Sequence, residues 1–141
     1  MSMLDTFRNN LLRKREEAAK LNQDLAKEQA KIAPLQQKII SANAAIGRTK
    51  SASTIKSKLN EIERANKAIA DTQKKVGDIQ KKLAQKEKEI AAAEKTYHNE
   101  ETKVNKKAAD AEKKRIQEAS RQSAALEQAI HRQEQLQFQM R

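Results

Sequence analysis

The chain has 141 residues, of which 35% are charged and 2% aromatic, with 30 basic against 19 acidic side chains and a formal net charge of +11. Two glycines, one proline and no cysteine leave almost no material for hairpin turns and strands, and none for disulfides or thiol chemistry. No apolar run approaches the roughly 18 residues of a membrane span or forms the core of a secretory signal, so the expected setting is the cytoplasm, with no membrane partner.

From the N-terminus, apolar residues recur every seven positions: Leu4, Leu11, Ala18, Leu25, Ile32, Ile39 and Ile46. A sustained seven-residue repeat keeps one stripe of a helix facing a partner helix and marks a left-handed coiled coil. Companions three residues on are Phe7, Lys14, Leu21, Glu28, Leu35 and Ala42, so two polar residues intrude on the stripe. The first helix is expected to start at Asp5 as cap, or a residue or two earlier, and to span residues 1–46. Pro34 removes a backbone donor. Because Ile32, Ile39 and Ile46 hold register across it, a kink near Pro34 is expected rather than an end.

Residues 47–54 read as a hairpin loop. Gly47 follows the last periodic residue, as a helix-terminating glycine does, and Ser51, Ser53 or Thr54 can cap the next helix. The second ladder is Ile55, Ile62, Ile69, Val76, Leu83, Ile90, Tyr97 and Val104, reaching Ala111. Ile46 to Ile55 is nine residues, which a continuous coil does not absorb, whereas two antiparallel helices do. Folding back pairs residues whose numbers sum to about 101, such as Ile46 with Ile55 and Leu4 with Tyr97. Four residues on from this ladder lie Leu59, Asn66, Gln73, Gln80, Glu87, Glu94 and Glu101, a row that turns polar; the neighbouring row Ala65, Thr72, Ile79 and Ala93 compensates in part. Small residues flank both stripes, at Ala19, Ala26 and Ala33 and at Ala70, Gly77, Ala84 and Ala91. They either tighten the hairpin or form a second face.

The second coiled-coil helix is expected over 55–111. Ile116 falls off its register, and a weaker pattern resumes through Ala119, Leu126, Ile130 and Met140. Residues 112–141 are expected to be a helical extension or a linker to a downstream domain. The fold class is all-α: a long antiparallel coiled-coil hairpin with an extended C-terminal helix. Because the stripe from Val104 onward has no partner in its own chain, self-association is expected, most simply as a homodimer.

Chemistry is sparse. His98 and His131 share no motif, and neither gathers the three or four convergent ligands of a metal site. No phosphate-cradling glycine loop or carboxylate pair is present. The expectation is a non-catalytic chain with no cofactor and no metal. The positive charge is spread evenly: +3 over residues 1–46, +2 over 47–54, +4 over 55–97 and +2 over 98–141. Basic runs such as Arg13-Lys14-Arg15 are flanked by acids, which is the pattern of a solvated coiled-coil surface. That disfavours a specific nucleic-acid partner, although a basic helical module binding nucleic acid or another anion is the alternative reading. The candidate partner-binding residues are Arg48, Lys50, Ser51 and Ser53, cations and hydroxyls gathered beside a helix N-terminus, where free amides favour an anion.

The run IGRTKSASTIKSKLNEIER, Ile46 to Arg64, with the following AIADTQKKVGDIQKKLAQKEKEIAAAEK, resembles a coiled-coil segment of bacterial immune effectors. The likeness is sharpest from Arg48 to Leu59, where Ser and Thr stand in a fixed order, and covers about residues 1–115. In those effectors the segment precedes a TIR domain that degrades nicotinamide dinucleotides in antiviral defence, or a caspase-like (CHAT-type) protease domain. Neither domain's sequence is present, so no catalytic residue carries over. The resemblance implies an oligomerising, sensing or autoinhibiting role.

Overall fold

The computed structural model describes residues 2–140. It contains α1 (Met3–Gln29), α2 (Ile32–Arg48) and α3 (Ala52–Gln139). The helix α1 is capped by Ser2, whose Oγ accepts from the Asp5 N–H at 3.0 Å. Asp5 is thus a first-turn acid rather than the cap, paired with Arg8 at 3.1 Å.

The interruption ahead of Pro34 falls at Ala30 and Lys31, and both residues keep right-handed helical backbone angles. A proline at position 34 cannot donate to the Ala30 carbonyl, and its ring crowds that group. The chain responds by tightening: the Lys31 N–H bonds to the Glu28 carbonyl, three residues back, at 3.1 Å. Pro34 then lies in the first turn of α2, where a missing donor is tolerated. The expected kink is therefore a break in the hydrogen-bond ladder, and α1 and α2 both continue along α3.

The turn is shorter than the sequence suggested. Residues 47–54 were expected to be loop, but α2 runs through Arg48 and α3 begins at Ala52. Gly47 has no positive φ and stays helical. Thr49 ends α2 with an extended backbone, φ −121° and ψ 151°. Ser51 caps α3, its Oγ accepting from the Thr54 N–H at 3.4 Å. The second helix, expected over 55–111, is one continuous helix of 88 residues, about 130 Å long at 1.5 Å per residue.

The antiparallel seam uses every rung of the first ladder and its companions, Leu4, Phe7, Leu11 and onward to Ile46, all buried or half-buried. On α3 the ladder Ile55, Ile62, Ile69, Val76, Leu83, Ile90 and Tyr97 is joined by the row three residues on: Lys58, Ala65, Thr72, Ile79, Lys86 and Ala93. This corrects the expected companion row. Leu59 is 53% exposed and lies outside the seam. Val104, also assigned to the seam, is 41% exposed because α1 ends before reaching it.

The register differs too. Lys14 faces Glu89 and Glu17 faces Lys86, pairs whose numbers sum to 103 rather than 101. At that register the ladder of one arm stands level with the companion row of the other, as knobs-into-holes packing demands. The companion row of α3 brought into the seam at this register includes the small residues Ala65, Thr72 and Ala93, all buried. Ladder set directly on ladder would crowd Ile against Ile and leave gaps at the alanines. Ala42, Ala65 and Ala93 accordingly reach 2%, 5% and 8% exposure.

Candidate interaction surfaces

The accessible surface is 11,514 Å², against about 7,400 Å² for a compact protein of this mass. Surface, rather than enclosed volume, is what this molecule offers, and it divides into four regions.

The tip holds the four residues predicted to bind a partner. Ser51 is occupied as the α3 cap, and its Oγ lies 3.2 Å from that of Ser53. The Ser51 N–H donates to Thr49 Oγ1 at 3.2 Å. Arg48 closes α2, where a cation favours the negative helix end. Lys50 stands exposed in the turn. The structure brings all four together, and gives the serines local work that accounts for them.

One side of the hairpin is charged. Its grooves are lined by Glu17, Lys20, Asp24, Lys82 and Glu89 toward the open end, and by Lys38, Glu61 and Arg64 toward the tip. Lys86 bridges Glu17 at 2.5 Å and Glu89 at 3.3 Å, while Lys14 reaches Glu89 at 3.7 Å. The hydrogen bond from Lys86 holds the Glu17 carboxyl below the usual carboxylate range and raises Lys86 in turn. Lys14 and Lys86 are seam positions, so this quartet fixes register as well as charge. Lys14 is legible in the sequence as a polar intrusion on the stripe, whereas Lys86 lies on a row that the sequence does not mark as seam. The available signal was that each lysine is followed three residues later by a glutamate.

A third polar seam residue, Glu28, bonds Lys31 through Oε1 at 2.8 Å while its Oε2 is buried without a partner. The Lys31 contact lowers the Glu28 pKa against the opposing effect of burial.

The opposite side is neutral along its middle. Apart from the half-buried Gly77, the small residues flanking the stripes do not close the hairpin; they point outward. Ala19, Ala26, Ala33 and Ile40 form one exposed row, and Ala70, Ala84 and Ala91 belong to another on α3. Asn22, Gln29, Gln36 and Asn43 run beside the first, and Asn66, Gln73 and Gln80 beside the second. Arg15 bonded to Glu94 at 2.8 Å closes this face at the open end.

The fourth surface is the part of α3 beyond the hairpin. Residues 102–139 are exposed all round, about 57 Å of helix. Ile116, Leu126, Ile130, Leu136 and Phe138 are 55%, 62%, 49%, 59% and 79% exposed. Among the described residues no group of three or more His, Cys, Asp or Glu side chains could hold a metal, and no helix is long and apolar enough to cross a membrane. No family model, curated protein or solved structure matches the chain.

Proposed function

We propose that this chain is a non-catalytic assembly module, whose hairpin folds within one copy and whose α3 extension joins it to a second. The observation that carries this reading is the extension itself. Five large apolar side chains from Ile116 to Phe138 stand in solvent on a stretch of α3 that packs against nothing in its own chain. Helical stability in proteins comes mainly from packing an amphipathic face, and exposed apolar runs of this kind mark association surfaces.

The likeness of Arg48–Leu59 to the coiled-coil segment of bacterial immune effectors supports a more specific role. The module would regulate or oligomerise a cytoplasmic anti-phage effector, of the TIR type that degrades nicotinamide dinucleotides. This chain itself is then expected to leave NAD intact in a cleavage assay.

Sedimentation equilibrium at micromolar concentration tests the assembly reading. A mass near twice the 16.0 kDa of one chain is expected, and Leu126→Glu with Ile130→Glu should return it to one chain. A wild-type monomer throughout the concentration range would refute the reading.

One observation favours the anionic-partner alternative: Lys103, Lys106, Lys107, Lys113, Lys114 and Arg115 crowd the first part of the extension. Phosphate binding by such a cluster weakens steeply as salt rises. Tight RNA or DNA binding that survives physiological salt would put this alternative first.

A further inference from the structure

The geometry points to an antiparallel pairing of the two extensions, centred near Ser120, so that the hairpins of the two copies lie at opposite ends of a shared rod. This inference rests on the assembly reading above and adds the partner's orientation, which the apolar pattern alone leaves open.

Ile116, Ala119, Leu126, Ile130 and Met140 set the heptad frame of the exposed stretch. In a left-handed coiled coil, residues seven apart share one row, and the rows bordering the apolar stripe face the partner's borders and select its orientation. The row one position after Ala119 and Leu126, followed in both directions, reads Lys106, Lys113, Ser120, Glu127, Glu134. It is two cations, a neutral centre, then two carboxylates. Turned end for end, this row is its own complement. Antiparallel association about Ser120 sets Lys106 against Glu134 of the second copy and Lys113 against Glu127, and the twofold axis repeats each pair. Parallel association in register would instead face this row with the border on the other side of the stripe, Ala108, Arg115, Gln122 and Ala129, which offers Lys113, Glu127 and Glu134 no opposite charge.

The wider charge distribution agrees. Residues 102–119 carry six cations and three carboxylates, whereas 121–138 carry two cations and two carboxylates. Parallel pairing stacks the six-cation halves on each other, and antiparallel pairing separates them. The apolar residues tolerate the reversal, since the same centre brings Ile116 near Leu126 and Val104 near Leu136 and Phe138. None of the four charged residues of the row is drawn into an ion pair within its own chain at 4.0 Å or less among the described residues, whereas Glu112 is already bonded to Arg115 at 2.6 Å.

With no native cysteine, single labels can be placed on the full chain at Asn105→Cys and, separately, at Gln122→Cys. Dipolar distance measurement should give about 45 Å between the two copies' labels at 105, and a separation under about 20 Å at 122, for a rod with 1.5 Å rise per residue. Short distances at both positions would mean parallel pairing and overturn the inference while leaving self-association intact. A long distance at 122, or none at either site with a dimeric mass, would place the interface elsewhere and also overturn it. A monomeric mass would remove the assembly reading together with this one. Charge reversal gives an independent arm. Lys106→Glu with Lys113→Glu should weaken the dimer roughly tenfold, and adding Glu127→Lys with Glu134→Lys, which restores the row in mirror form, should return affinity to within about threefold. If the fourfold variant is as weak as the double one, the row does not direct the pairing.

Discussion

The two stretches of α3 on either side of residue 101 are made of much the same amino acids, yet only one has a partner. From Ala52 to Glu101 the helix lies along α2 and α1, and its ladder residues are half-buried or better. From Thr102 to Gln139 no residue is. Helix-forming composition is therefore enough to keep the backbone helical, and pairing within the chain stops at the N-terminal end of α1, since Val104 and Ala111 keep the seven-residue spacing and are exposed. In the first stretch the apolar rungs are unbroken. In the second, the step from Ala111 to Ile116 breaks the register, and polar residues such as Ser123 and Gln133 fill later rungs. The comparison predicts that equivalent truncations report on different properties in the two stretches.

Leu83→Ala should produce the largest effect. Leu83 is 8% exposed in a seam one side chain thick, so the cost falls at the low end of buried Leu→Ala changes, about 2 kcal/mol of hairpin stability by chemical denaturation. Leu126→Ala, at 62% exposure, should leave the hairpin transition in place and instead raise the dissociation constant of the dimer. If Leu126→Ala shifted the hairpin transition as far as Leu83→Ala, the two stretches would belong to one cooperative unit and the distinction would fail.

Next in size is the cap at the tip. Ser51→Ala removes the acceptor for the Thr54 N–H and should cost about 1 kcal/mol in the same measurement. Arg48→Ala with Lys50→Ala should change stability by less than about 0.5 kcal/mol, as exposed substitutions do. A loss from the cation pair as large as that from Ser51→Ala would mean the tip is held by charge rather than by capping.

The smallest effect should come from acid. The Glu17 pKa lies below its ordinary 4.5 because Lys86 bonds the ionised form. The stabilisation is therefore complete above about pH 4.5 and is lost as pH falls through the lowered value. Lys86 is raised above its ordinary 10.5, so its share persists through neutrality and disappears only in strong base. Lys86→Gln should flatten the fall in melting temperature below pH 4.5. An unchanged acid profile in that variant would assign the fall to other carboxylates, Glu28 foremost, since its pKa is lowered as well.

Much of this fold could be read in advance. Two ladders of equal spacing and a nine-residue joint specify an antiparallel all-helical hairpin, and Ser51 is one of the hydroxyl residues placed to cap its second helix. Three details could not be read the same way, each for a physical reason. A ladder residue has helical neighbours at both three and four positions, so Leu59 and Lys58 competed for the seam. Only the partner's position decided it, in favour of Lys58. The register is set out by the Lys14–Glu89 and Lys86–Glu17 pairs, a match between the arms that no single stripe displays. Gly47 has the composition of a helix stop, but the adjacent Thr49 could extend and end the helix without a left-handed residue. Of the surfaces, the tip cations were visible in sequence. The neutral side emerged only when the small residues of both arms were seen on one face, directed outward.

The hairpin is paired within one chain, and on the proposed reading the extension pairs with a second copy. Hydrogen exchange along α3, followed over a dilution series, tests it most directly. Amides from Ile55 to Tyr97 should keep their protection at every concentration. Those from Ile116 to Phe138 should be protected when the dimer is populated and lose protection as it dissociates. Protection in the extension that is indifferent to dilution, or protection in the hairpin that falls with it, would contradict the account.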